Sequence, residues 1–173
     1  MKLVWTDITL RKRVLFVLAA LIVFRLLSAI PIPGIDTVEL NRFLSNNQFF
    51  GILNIFSGGG LTNLSIIMLG VGPYITGSII MQLLTIMVPA LKRIYHEEGE
   101  AGRKRFTQYS RLLTVPLAAI QGFALLAILE SQNILVNLTA FDRVTNLIIV
   151  IAGSMLLMWL GELVSEFGIG NGV

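Results

Sequence analysis

Few side chains in this 173-residue sequence carry the usual instruments of chemistry. His96-Glu97-Glu98 with Glu100 is the nearest thing to a metal set. It has one histidine and none of the H-E-x-x-H spacing that puts two imidazoles on one helix face. A solvated charge run is the better reading. With His96 as the sole candidate base, no Ser-His-Asp arrangement is plausible. The absence of cysteine excludes disulfides, thiolate metal sites and a cysteine nucleophile. Gly168-Ile169-Gly170-Asn171-Gly172 is not G-x-G-x-x-G, and no strand precedes it, so a tight turn is expected. Glu162 and Glu166 sit at the edge of an apolar stretch, where solvation is the default. The expectation is a protein that is not an enzyme, with no metal and no cofactor. What remains are residues that act by position: Thr76, Ser78, Gln82 and Gln121 inside uncharged stretches, three consecutive glycines, and clustered basic residues.

The elements that hold those residues follow from where charge is missing. Hydrophobic types make up 55% of the chain and charged types 13%, against ~25% charged in soluble domains. Disorder, which needs the opposite balance, is excluded. Val14–Ile30 is 17 residues with one charge, Arg25; Ile66–Leu91 is 26 with none; Leu112–Leu129 and Val144–Gly161 are 18 each with none. A bilayer core needs roughly 17–25 helical residues, and tilt absorbs the excess of the second stretch. Four transmembrane helices are expected, at 14–30, 66–91, 112–129 and 144–161. Four buried helices of a soluble bundle would each show a polar stripe, which these hardly do.

Arg25 does not prevent the first stretch from inserting. Its twelve Leu, Ile, Val and Phe contribute roughly −4 to −7 kcal/mol in sum, against about +3 kcal/mol for one central arginine. The Ser28-Ala29-Ile30 end is not a small-residue cleavage site, so an uncleaved anchor is expected rather than a signal peptide. Residues 1–13 carry four basic residues and the connection 92–111 carries six. The other two connections carry only Arg42 and Arg143. The positive-inside rule then puts residues 1–13, 92–111 and 162–173 in the cytoplasm.

One segment fits no span. Phe49–Leu64 reads FFGILNIFSGGGLTNL. Eight helical residues, Phe49–Phe56, cover only ~12 Å. Gly58-Gly59-Gly60 then breaks the chain, and Thr62, Asn63 and Ser65 offer caps for the next helix. This is either a re-entrant element beside a water-filled cavity or a helix lying on the outer leaflet. Gln82 and Gln121 read first as interhelical glue, with a polar path as the alternative. The basic excess of 92–111 suits anionic headgroups, RNA phosphates, a docking protein, or topology alone.

The motifs taken together resemble the SecY family of protein-conducting channels. They are Phe24-Arg25 before Ile30-Pro31-Ile32-Pro33-Gly34-Ile35-Asp36; Asn54-Ile55-Phe56-Ser57-Gly58-Gly59; Pro73-Tyr74-Ile75; and Ile79-Ile80-Met81-Gln82-Leu83-Leu84-Thr85. Gly99-Glu100-Ala101-Gly102-Arg103-Lys104, Gln108-Tyr109, Met158-Trp159-Leu160-Gly161-Glu162 and Gly168-Ile169-Gly170-Asn171-Gly172 continue the order. Gly72 stands where the family usually has a larger apolar residue, and Thr62-Asn63 where it often has an arginine.

The resemblance implies an all-α bundle with a plug at 49–64, about half of a pseudo-two-fold channel. It implies passage of secretory chains across the membrane and sideways release of hydrophobic helices. Val71 and Ile75 would join the apolar pore ring. Phe49, Ile52, Ile55, Phe56, Ser57, Gly58, Gly59 and Gly60 would form the plug. Thr76, Gln82 and Gln121 would belong to the lateral gate, and Arg103, Lys104 and Arg105 to a cytoplasmic contact loop. Implied partners are small subunits of the SecE and SecG type, the SecA motor ATPase, the ribosome, signal peptides, nascent chains and membrane lipids, with no direct DNA binding. The implied location is the inner (plasma) membrane. By the same resemblance the four spans are the N-terminal part of a longer channel, or other chains supply the rest. A four-span subunit of a transporter or small-solute channel with a gating loop is the alternative.

Overall fold

The computed structural model describes residues 8–46, 48–96, 99–135 and 138–168. Helix α1, Ile8–Ser28, stops ahead of Pro31 and Pro33, whose rings cannot continue a helix. Ser28 Oγ closes its last turn by donating to the Arg25 carbonyl at 2.9 Å. Asp36 opens α2, Thr37–Asn46, by accepting from the N–H groups of Val38 and Glu39, a side-chain N-cap. Helix α3, Gln48–Phe56, folds back on α2 through Phe43 and Phe50, whose rings lie 4.6 Å apart.

The stretch 57–71 is non-helical and largely buried, with Leu64, Ser65 and Ile67 at 0% exposure. Its backbone groups are paired by protein. Ile32 N–H donates to Leu64 O and Ile66 N–H to Ile30 O, both at 3.0 Å. A second bridge joins Ile35 to Leu135, with Asp36 N–H donating to Ile134 O at 2.9 Å. Around these bridges Leu40, Leu61, Leu64, Met68, Leu125, Leu129 and Val150 form the core. The core thus sits at one end of the bundle, where the breaks between helices converge.

The uncharged stretch 66–91 is not one helix. Helix α4, Gly72–Met87, starts only where Pro73 is tolerated in its first turn. It ends at Val88, which is extended because the residue before a proline is pushed out of the α region. The chain then bends by 114° into α5, Pro89–His96. Connection 92–111 is likewise mostly helix: it comprises the end of α5 and the first turns of α6, Gly99–Ser131. Helix α7, Ala140–Phe167, opens on a reciprocal Thr139–Asp142 capping box.

Helices α6 and α7 are each long and apolar enough to cross a membrane, and the α4–α5 pair is a third candidate as one broken span. Helix α1 is outside that set, having 21 residues that include Arg11, Lys12, Arg13 and Arg25. The outward faces are apolar, as lipid requires: Ile22, Leu26, Ile120, Phe123, Ile148 and Trp159 are all exposed.

The helices meet through small residues. Gly102, Ser110, Thr114, Ala118 and Gly122 lie buried along α6, and Pro73, Gly77 and Met81 along α4. Lipid tails are as apolar as leucine, so close packing rather than water exclusion holds such helices together. The tightest approach is at Gly153 of α7, where an added Cβ would stand 1.9 Å from the Ile66 carbonyl oxygen. Gly153→Val should therefore destabilise the fold by about 3 kcal/mol or more. Thermal unfolding in nanodiscs checks this; a melting temperature unchanged from wild type would contradict the packing.

Candidate functional site

Val71 and Ile75 stand one turn apart at the start of α4, joined by the Ile75 N–H donating to the Val71 carbonyl at 3.0 Å. Val71 is half-buried and borders an apolar crevice of about 200 Å³ together with Phe24 of α1 and Leu157 and Val164 of α7. Ile75 is 42% exposed and borders a different, larger cavity of about 580 Å³. The start of α4 therefore separates two spaces with apolar side chains.

The expected gate residues divide. Thr76 Oγ1 donates to the Gly72 carbonyl at 3.0 Å, bonding back onto its own helix. Gln121 Oε1 lies 4.0 Å from where a Gly72 Cβ would sit, so Gln121 and Thr76 both adjoin Gly72. Gln82 is not with them. It lines the larger cavity, in one row with Tyr74 and Ser78, because residues four apart share a helix face.

The plug-like segment is a short helix ending in a glycine turn. Gly58 and Gly59 have φ of +64° and +87°, a region that strongly favours glycine. Gly59 N–H donates to Asn54 O at 2.8 Å, and Asn54 Oδ1 accepts from Thr62 N–H at 3.0 Å. Ser57 is buried, donating to Asn54 O and accepting from Leu61 N–H. The turn rests on α1: a Cβ at Gly58 would stand 2.4 Å from Phe24 Cζ. The guanidinium of Arg25 lies beside Gly59. Gly60 is buried, whereas Ile52 and Ile55 are 55% and 78% exposed. The side chains of Phe49 and Phe56 lie outside the described residues, as does 169–172 of the last motif.

Arg103, Lys104 and Arg105 are exposed, but they stand on the first turns of α6 rather than in a loop. Glu162 is not simply solvated. It is 18% exposed and paired with Arg111 of α6 at the wall of the larger cavity, with Thr107, Ser165 and Glu166 nearby. Tyr74, Thr107, Arg111 and Ser165 were not expected as site residues, whereas Ser78 was among the polar residues singled out. The four-residue spacing of Tyr74, Ser78 and Gln82 was a readable signal. The Arg111–Glu162 pair, 51 residues apart in sequence, was not.

These features define an all-helical, multi-pass membrane protein whose helix α4 is reached through buried, non-helical backbone. The SecY family model matches residues 65–173, and the chain belongs to the SecY family. Protein translocase subunit SecY of Buchnera aphidicola subsp. Acyrthosiphon pisum is 44% identical over 95% of this chain and 39% of its own length. The Streptomyces galbus subunit of the same name is 44% identical over 95% of this chain and 40% of its own. The chain thus spans about two fifths of the length of these curated relatives. Among solved structures it is similar to one described as Sec61 in the canine ribosome-channel complex from the endoplasmic reticulum. The TM-score there is 0.63 at 22% identity, covering 96% of this chain and 35% of that one. A second, described as the structure of a protein conducting channel, gives 0.62 at 22%, covering 96% and 35%. Both share the fold.

Replacing Arg111 with Gln leaves Glu162, mostly buried, without its cation, at an expected cost of about 2 kcal/mol. A double-mutant cycle with Glu162→Gln, read by thermal unfolding in nanodiscs, should show the two losses to be non-additive. Strictly additive losses would mean that the pair contributes nothing.

Proposed function

We propose that the chain contributes the N-terminal part of a protein-conducting channel, through which secretory polypeptides cross the membrane and hydrophobic helices leave sideways into lipid. The observation that carries this reading is the buried, non-helical stretch 57–71, which leads from a short glycine-hinged helix directly to α4. Irregular backbone at membrane depth is tolerated only where protein covers it or a water-filled cavity adjoins it. Here protein covers it on one side, and cavities flank its end on the other.

In this reading Val71 and Ile75 form part of an apolar ring. Such a ring excludes ions by dewetting and yields sideways to a peptide. The plug is α3 with the turn Ser57–Gly60. Its exposed Ile52 and Ile55 are the surface withdrawn from water when it seats. Thr76 and Gln121 line the gate side of α4, while Gln82 faces the cytoplasmic cavity. Arg103, Lys104 and Arg105 form the contact surface for a motor ATPase of the SecA type or for a ribosome; one structure whose fold this chain shares is described as Sec61 in a ribosome-channel complex. Small membrane subunits of the SecE and SecG type complete the assembly. The protein sits in the inner membrane with residues 1–13 and 162–173 cytoplasmic. It performs no chemistry of its own; a motor or a ribosome supplies the energy.

The test uses the chain assembled with its partner subunits in planar bilayers. Ile75→Gly should raise resting ion conductance at least severalfold, and a polypeptide stalled in the channel should block that leak. Conductance indifferent to the stalled polypeptide but blocked by a small solute would instead identify a solute channel.

A further inference from the structure

The end of α6 and the start of α7 leave a groove that the channel reading does not use. A deep crevice of about 110 Å³ and a shallower space of about 520 Å³ meet there, sharing Glu130 and Arg143 at their common rim. The crevice is walled by Phe123, Leu126 and Leu147 and lined also by Asn146. Asn146 is 1% exposed. Its Nδ2 donates to the Pro33 carbonyl at 3.3 Å, but its Oδ1 has no hydrogen-bond partner among the described residues. At the rim Arg143 Nε contacts Glu130 Oε1 at 2.7 Å, with the two side chains 62% and 28% exposed. A guanidinium has five N–H donors and a carboxylate two oxygens. The pair therefore keeps open valences of both signs, side by side.

We propose that this groove holds one phospholipid with a zwitterionic, primary-amine headgroup, of the phosphatidylethanolamine class. Its phosphate lies on the open donors of Arg143, its ammonium on the free oxygen of Glu130, and an acyl chain follows Phe123, Leu126 and Leu147. Among the described residues α6 and α7 are the two single helices long and apolar enough to cross a membrane, and in this proposal lipid is the solvent of the groove between them. A charge pair near the helix ends falls at headgroup depth. The chemistry discriminates among headgroups. An anionic headgroup without an amine meets Arg143 but is repelled by Glu130. A choline headgroup carries the cation but no N–H, so Glu130 gains no hydrogen bond from it. An ammonium beside a phosphate suits both signs of the rim pair.

The experiment is native mass spectrometry of the full chain released from nanodiscs holding equal parts of phosphatidylethanolamine, phosphatidylcholine and phosphatidylglycerol with identical acyl chains. One phosphatidylethanolamine should be retained about tenfold more often than either competitor, the discrimination expected of one charge-assisted hydrogen bond. Glu130→Gln should reduce the preference over phosphatidylcholine to within about twofold, and Arg143→Gln should lower retention of both zwitterionic lipids. Leu147→Trp fills the crevice without touching a charge and should also abolish retention. Equal retention of phosphatidylethanolamine and phosphatidylcholine by the wild-type chain would overturn the proposal without recourse to any variant. So would a preference for phosphatidylglycerol.

Discussion

The structure depends on one constraint: backbone N–H and C=O groups inside a membrane protein must find partners within the protein. Helices meet it automatically. The stretch 57–71 does not, and the arrangement around it answers that need. The antiparallel bridge between 30–32 and 64–66 pairs part of its backbone with the break that follows α1. A second bridge, which ties Asp36 to Ile134, joins that same break to the one that follows α6. Three interruptions in helical structure are therefore gathered at one end of the bundle, where the core Leu64, Met68, Leu129 and Val150 closes over them.

Close packing then fixes how the helices lie. Helix α4 leans along α6 and touches α7 only lightly, so a polar space opens between α4 and α7. On its other side Val71 meets α1 and α7 across an apolar crevice. One helix thus presents an apolar end to one compartment and the row Tyr74, Ser78 and Gln82 to another. The anchored stretch before α4 holds its start in place, whereas α3, one turn of glycines away, leaves Ile55 largely uncovered. An anchored α4 therefore stands beside a short helix that is only lightly held.

Much of this was legible. The gaps between charges located α6 and α7 because an 18-residue apolar run has few other uses. The glycine triplet and the apolar octet before it marked a short helix and a turn. The basic cluster at 103–105 was visible, although its helical setting was not. The length of the second span was misread because the absence of charge says nothing of backbone direction. Pro73 in the first turn and Pro89, which pushes Val88 out of the helical region, bound the sixteen residues of α4. Glu162 looked solvated because its partner Arg111 lies far away in sequence, and only the crossing of α6 on α7 brings them together.

By itself the sequence determined the long apolar runs that became α6 and α7, the short helix with its glycine turn, and the family to which the motifs point. Those depend on composition, on proline and glycine stereochemistry, and on residues a few positions apart. The tertiary structure alone decided which broken backbone pairs with which, that Gln82 parts company with Thr76 and Gln121, and that Arg111 meets Glu162. Those outcomes depend on how closely small residues such as Gly153 let one helix approach another chain segment. That distance is set by packing in three dimensions, and no local pattern encodes it.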